Sequence, residues 1–254
     1  MILAKDLTKQ LNKLLNIYDY SDYGPNGLQI QGKEQINKIA FAVSATRESV
    51  NMAAELEADA LIVHHGLFWK FHGPKTLTGA FYNRVSPLIK NDINLFGYHL
   101  PLDAHIEVGN AKAIADLINL KNLKPFGDHK GMPTGVQGIF PTPISPKDLQ
   151  NKLEQVLNHS VIHASPHESN ITSMGIITGG ANGDWRSAKS EGLDSYLTGE
   201  ISEHDWHESK EDNIHFFAGG HNATEQFGIQ KLMEFIQKEH PNLECSFIKS
   251  DNPA

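Results

Sequence analysis

Several of the fourteen histidines in this 254-residue chain stand where imidazoles could converge on a metal. His64 and His65 are consecutive and follow the apolar run Ala60-Leu61-Ile62-Val63. Asp103 lies in His99-Leu100-Pro101-Leu102-Asp103-Ala104-His105, directly after the apolar stretch 93–98. His221 and Glu225 follow the stretch 214–218 through Gly219-Gly220. They are four residues apart where a helical pattern begins, so they project from one face. Neutral imidazole with carboxylate, and no thiolate, suits zinc, iron, manganese, nickel or cobalt. The five side chains exceed the usual three protein ligands of one catalytic zinc. Shared carboxylates and a bridging water would complete two divalent ions about 3.5–4 Å apart, a pair suited to hydrolysis.

Each residue taken singly has a plainer reading. Paired histidines at a strand end also form turns with one core imidazole, Asp103 is a turn or cap type, and Glu225 reads as a solvated helix face. Joint placement at three strand ends favours the metal, because open α/β sheets bind ligands beyond the carboxyl ends of their strands. Consecutive strand residues point to opposite sides. Both His64 and His65 therefore reach one site only if the strand stops there, and Gly66 permits a sharp exit.

Further candidates surround these five. His99 and His105 flank Asp103 and could orient a ligand, act as acid–base groups, or hydrogen-bond within their loop. Glu200 follows Thr198-Gly199 at a fourth strand end, as a catalytic carboxylate or as a negative charge at a helix start. Gly179-Gly180-Ala181-Asn182-Gly183 could cradle phosphate or form an ordinary glycine turn. His204 and His207, and the series His159, His163 and His167, read as surface-directed.

The elements that must position these residues alternate almost throughout, which argues for an α/β fold. A helix is expected over about 3–15, with Leu3, Leu7, Leu11, Leu14 and Leu15 on one face. A Gly24-Pro25-Asn26-Gly27 loop follows, then strand 39–43, helix 46–57 and strand 60–63, a parallel pair with a right-handed crossover. Helix 79–89, strand 93–98 and helix 110–118 close the first half. The stretch 121–134 carries Pro125, Gly127, Gly131 and Pro133 and is read as a lobe boundary. Beyond it come strand 135–140 and a helix opening at Ser145-Pro146. After the segment 161–164 come strand 174–178, a helix near Trp185, strand 195–197 and the stretch 214–218. The chain ends in an amphipathic helix over 222–239 and a strand over 244–249 that returns to the first lobe. The expected division is a first lobe over 1–124, completed by 215–254, and a second lobe over 125–214, with the metal site at strand carboxyl ends between them.

Composition excludes other classes. The formal charge is −8 and no run of Lys or Arg exceeds two, so no phosphate-backbone surface is indicated and long nucleic acid is a poor partner. No apolar run nears the roughly 18 residues that span a bilayer. Residues 1–12 lack the basic flank and apolar stretch of a signal peptide, so a cytoplasmic protein is expected. The single cysteine, Cys245, excludes an internal disulfide and a Cys-based zinc cluster.

The segments Gly24-Pro25-Asn26-Gly27-Leu28-Gln29-Ile30, Val63-His64-His65-Gly66, His99 to His105, Thr198-Gly199-Glu200 and Gly220-His221-Asn222-Ala223-Thr224-Glu225 resemble, in order, the GTP cyclohydrolase I type 2 family, also called the NGG-interacting-factor family. The resemblance spans essentially the whole chain. It implies a two-lobed α/β subunit, a dinuclear metal site between lobes, and a ring-shaped homohexamer enclosing a cavity. It makes His64, His65, Asp103, His221 and Glu225 the metal ligands and brings Asn26 near the substrate. The chain departs from many relatives in having Gly66-Leu67-Phe68-Trp69 where they have proline, and it lacks the long central insertion of some members. The activity implied is metal-dependent hydrolysis of a nucleotide or cyclic amide, with GTP ring opening as the substrate the family name supplies. The rival is a metal-loaded hexameric scaffold that binds a partner or regulates.

Overall fold

The computed structural model describes residues 1–254. The chain opens with β1 (Ile2–Leu3), α1 (Ala4–Leu14), β2 (Gly27–Ile30), β3 (Gln35–Ile36) and β4 (Lys38–Ser44). There follow α2 (Arg47–Glu55), β5 (Ala60–His65), α3 (Gly79–Lys90), β6 (Asn94–Gly97) and α4 (Leu100–Asp103). Next are α5 (Asn110–Leu117), β7 (Lys121–Phe126), β8 (Gly135–Ile144), α6 (Pro146–Leu157) and β9 (Ile162–Ala164). The remainder is β10 (Ile171–Ile176), α7 (Trp185–Ser190), β11 (Ser195–Thr198), α8 (Glu203–Glu211), β12 (His215–Ala218), α9 (His221–Glu239) and β13 (Glu244–Phe247). The mixed α/β class expected from the alternation is therefore observed. No helix is long and apolar enough to cross a membrane.

Two compact units share these elements. The first comprises Met1–Leu102 and Ile229–Asp251, the second Asp103–Gly228 and Asn252–Ala254. In the first, five strands lie in the order β13-β4-β5-β6-β2, with β13, β4, β5 and β6 parallel and β2 antiparallel at the edge. Strands β4, β5 and β6 are buried on both faces, which explains why they read as largely apolar runs, whereas the edge strand β13 is partly exposed. Ala40, Ala42, Leu61, Val63 and Leu95 pack with Val50, Val85 and Leu88 of α2 and α3. The alternate residues Ile39, Phe41, Ile62 and Phe96 are fully buried too. Helix α2 starts at Thr46, whose hydroxyl accepts from Ser49 N (3.1 Å) while Ser49 Oγ accepts from Thr46 N (2.9 Å), a reciprocal cap.

In the second unit six strands follow the order β7-β8-β10-β11-β12-β9, with β10, β11 and β12 parallel. Strand alternation covers both faces. Leu197 and Phe217 join α5 and α6 in one core, and their neighbours Tyr196 and Phe216 join Trp185 and Ala188 of α7 in another. Ser145 Oγ caps α6 at Asp148 N (3.1 Å), with Pro146 in the first turn as its sequence anticipates.

Two features differ from the sequence reading. Residues 121–134 are not merely a boundary, since β7 pairs antiparallel with β8. Pro125 is tolerated because β7 is an edge strand, and its Lys-Asn-Leu-Lys-Pro-Phe composition carries little apolar signal. The units divide at Leu102/Asp103 and Gly228/Ile229 rather than at 124/125 and 214/215. Ala111, Ile114 and Ala115 of α5 belong to the second core, and β12 pairs with β11, so both elements lie with the second sheet.

Candidate metal centre

In the first unit, β5 and β6 run parallel and in register, Val63 opposite Gly97, so the residues that follow emerge at one sheet edge. His64 is fully buried, and its Nδ1 lies 2.9 Å from the carbonyl oxygen of Tyr98. A carbonyl can only accept, so Nδ1 carries the proton and Nε2 is the unprotonated nitrogen, the form in which an imidazole can coordinate. His65 Nδ1 is 2.9 Å from Ser44 Oγ on β4. His99 Nδ1 donates to Asp22 Oδ1 at 2.7 Å, which again leaves Nε2 as the open nitrogen. One ring nitrogen from each of His64, His65 and His99 lies within 4.8 Å of the other two, a spacing that a single ion could bridge. The structure thus brings His99 into the cluster with the paired histidines.

Asp22, which the sequence reading missed, holds this arrangement. It is buried and accepts from Tyr23 N (2.6 Å), Asn26 Nδ2 (2.8 Å) and Leu100 N (3.0 Å) besides His99. Burial alone would raise its pKa, but the bonds from His99 and Asn26 and the backbone outweigh it and hold the carboxyl below its ordinary value. Asn26 supports the same loop from the other side, its Oδ1 accepting from His99 N at 2.8 Å. The Gly24-Pro25-Asn26 signature therefore has a positioning role in this chain. Asp22 stands just before that signature and carries no spacing pattern of its own, so only the fold shows its partner.

The role of Gly66 also differs from expectation. Strand β5 continues through His65, and Gly66 is absent from the glycines with positive φ. What requires glycine is Gln29, whose Nε2 would lie 2.2 Å from a Cβ at Gly66. Gln29 is itself fixed, its Nε2 donating to Pro25 O (2.8 Å) and its Oε1 accepting from Leu67 N (2.9 Å).

In the second unit, the parallel strands β10, β11 and β12 deliver Thr178, Glu200 and His221 at their carboxyl ends. Asp103, at the end of α4, is 4% exposed. Its Oδ1 accepts from Asn110 Nδ2 and from Thr178 Oγ1, both at 2.9 Å. A carboxylate oxygen of Asp103 lies within 4.8 Å of one from the buried Glu225. His221 Nε2 is 3.1 Å from Glu225 Oε2, one helical turn on. On its other nitrogen, His221 Nδ1 donates to Glu200 Oε1 at 2.5 Å.

Electrostatics reinforce this group. The hydrogen bond to Glu225 is the largest cause raising the His221 pKa to about 9; burial opposes it and Glu200 adds to it. The 3.1 Å approach of His221 Nε2 to Glu225 Oε2 brings a nitrogen and a carboxylate oxygen together where a cation could bind, with the same carboxylate balancing its charge. The donor set of imidazole and carboxylate therefore fits divalent transition metals.

The other candidates separate. Glu200 lies outside the first turn of α8, where Ser202 is the cap, and bonds His221 instead. His105 turns Nδ1 into its own loop, accepting from Glu107 N and Val108 N at 3.2 Å. The glycine turn at 179–183 is not an open phosphate cradle. Gly179 N donates to Thr224 Oγ1 (3.1 Å), Ala181 N to Thr198 Oγ1 (3.3 Å), and Gly180 abuts the Glu200 carboxylate. His163 and His167 are not simply surface groups. Both bond the buried His215, through His163 Nε2 to Nδ1 (3.1 Å) and His167 Nδ1 to Nε2 (3.3 Å).

Comparison with known proteins agrees with this fold. The family model Duf34/NIF3 (NGG1p interacting factor 3) matches residues 2–253, and the chain belongs to that family. It is 40% identical over 252 residues to a protein of Haemophilus influenzae named GTP cyclohydrolase 1 type 2 homolog, covering 98% of each. It is 38% identical over 250 residues to the Escherichia coli K12 protein of the same name, again covering 98% of each. Among solved structures, protein ybgI, described as of unknown function, superposes with a TM-score of 0.90 at 37% identity over 100% of both chains. TTHA1606 from Thermus thermophilus gives 0.89 at 30% identity, also over 100% of both.

Proposed function

We propose that the histidine cluster of the first unit and the Asp103, His221 and Glu225 group of the second are two halves of one dinuclear centre, and that the chain is a metal-dependent hydrolase acting on a nucleotide or cyclic amide. The observation that carries this reading is the bond from His64 Nδ1 to Tyr98 O, which commits a fully buried imidazole to the tautomer that a ligand requires. Two bound divalent ions would supply Lewis acidity and a water that deprotonates near neutral pH. His64, His65 and His221 would provide neutral nitrogen, and Asp103 and Glu225 the charge that balances the ions. Glu200 orients His221 through Nδ1. Asp22 holds the proton on His99 Nδ1, so that His99 can accept or return a proton at Nε2. The names of the curated relatives support the nucleotide substrate. The implied ring-shaped homohexamer is part of the same proposal.

The test is elemental analysis of the purified chain, then a turnover screen of the metal-reconstituted protein against nucleotides and cyclic amides. About two transition-metal ions per chain, falling in His65→Ala and Glu225→Ala, are expected together with hydrolysis of one substrate class. Trace metal after reconstitution would sink the reading. Full metal without turnover of any substrate would favour the scaffold. Light scattering that gave a monomer would remove the hexamer.

A further inference from the structure

Immediately beyond the paired histidines the chain exposes aromatic rings that serve no core. Phe71 is 68% exposed and Phe68 36% exposed. Exposed rings held in order, next to candidate ligands, are more informative than scattered apolar residues. Trp69 stacks on Phe71 with ring centroids 5.6 Å apart and planes 21° from parallel. The turn that carries them is fastened from behind by Lys70 N donating to Tyr23 O at 2.8 Å.

Phe68 and Trp69, but not Phe71, wall an open pocket of about 290 Å³ together with Pro25, Lys70, Gly73, Pro74 and Lys75. No Asp or Glu lines it, in a chain whose formal charge is −8. Lys70 Nζ donates to the carbonyl of Asp22 (2.6 Å) and Lys75 Nζ stands 5.1 Å from the centre of the Phe81 ring. Neither partner carries charge, so both ammonium groups keep their positive field. Pro25, Phe68 and Trp69 also wall a smaller cavity of about 10 Å³, whose other sides include His64 and His99. Trp69 is the shared partition, edge-on to His99 with centroids 5.0 Å apart.

We infer that this pocket binds a planar heteroaromatic anion, with the ring against Phe68 and Trp69 and the negative group on Lys70 and Lys75, placing one end of the ligand beside the histidine cluster. The inference deepens the proposed function by assigning it a substrate subsite. Stacking supplies affinity for any flat π-face, and the lysines select charge. The volume suits one or two fused rings with a small acidic substituent. Such a ligand is available as a mononucleotide or as a heteroaromatic carboxylate, and these share the recognition chemistry.

Calorimetric titration of the purified full chain, with metal content measured on the same sample, tests it. The probes are guanosine monophosphate, guanosine, nicotinate and inorganic phosphate. At least one aromatic anion should bind, guanosine about tenfold more weakly than its monophosphate, and phosphate without detectable heat. The tighter of the two anions names the source. Trp69→Leu and Lys75→Glu should each weaken binding of that anion by about tenfold. Because Trp69 adjoins the histidines, Lys75→Glu carries the test if Trp69→Leu loses metal or fold. Wild-type affinity in the Lys75→Glu variant, phosphate binding as tight as the nucleotide, or no binding of either aromatic anion would overturn the proposal. Binding by a sample that still holds only trace metal after reconstitution would instead sink the metal-hydrolase reading and leave this site standing.

Discussion

Gly179 comes so close to Glu225 that a Cβ added to it would lie 2.0 Å from the Glu225 carboxylate oxygen Oε1. Its φ of +70° is also one that side chains with a Cβ adopt at a cost. The backbone after β10 thus forms the wall against which the Glu225 carboxylate is seated. Gly179→Ala should destabilise the protein by about 2–4 kcal/mol, from the left-handed backbone and the clash together, and should displace Glu225. Urea unfolding and metal content measure both effects; a variant equal to wild type in both would refute this account of the turn.

Glu200 is half-exposed, so replacing it should leave the fold intact. Its bond to His221 Nδ1 should matter to the ions instead. Glu200→Gln is expected to weaken metal affinity by about 10–100-fold, the usual cost of removing a partner that orients a histidine ligand, with an unchanged melting temperature. Competition with a chelator of known affinity gives the number. Unchanged affinity would show that His221 needs no such support.

Asp22 should be a stability residue as well as a support for His99. Asp22→Ala strands donors from Tyr23, Asn26, His99 and Leu100. A loss of about 2–4 kcal/mol in urea unfolding is expected, because buried donors left unpaired cost about 1–3 kcal/mol each and relaxation recovers part. Asp22→Asn keeps the shape and some acceptors and should lose less. Equal losses in the two variants would mean that volume, and not hydrogen bonding, is what Asp22 supplies.

Stability should also fall on mild acidification for a reason outside the metal centre. Burial is the main cause that lowers His163 and His215 from 6.5 to about 4; Lys147 adds to it at His163, and His163 and His167 add to it at His215 while Asp194 opposes it. Unfolded, both take up a proton as pH drops below 6.5, while the folded chain resists until about 4. The unfolded state therefore binds more protons across that window, so stability is complete above it and declines as pH falls through it. His163→Phe, which keeps a ring against Phe217, should flatten the decline measured by urea unfolding on protein treated with chelator. A slope identical to wild type would assign the acid sensitivity to other groups.

The α/β class was legible because buried parallel strands such as 60–63 are apolar throughout, and because helix starts such as Thr46 and Ser145-Pro146 carry their own capping chemistry. The clustering residues were legible for a related reason. His64-His65 end strand β5, Asp103 and His221 come within a few residues of the ends of β6 and β12, and strand ends are where open sheets gather polar side chains. Strand β7 was not, since an edge strand needs little apolar surface. Nor was the true division of the chain, because the periodicity of α5 shows that Ala111, Ile114 and Ala115 share an apolar face without saying which sheet that face covers.

The sequence by itself determined the inventory: which side chains could bind metal, that a single cysteine builds no cysteine-based metal cluster, and most of the segments that become helix or strand. Only the tertiary structure decided the partnerships. Asp22 meets His99, Gln29 fills the space that Gly66 leaves open, Glu200 takes His221 Nδ1, and His163 and His167 close on a buried His215. The reason is one of range. Propensity, capping and periodicity act within a few residues along the chain, whereas the hydrogen bonds that set a histidine tautomer join residues brought together by strand order and register, which no local pattern encodes.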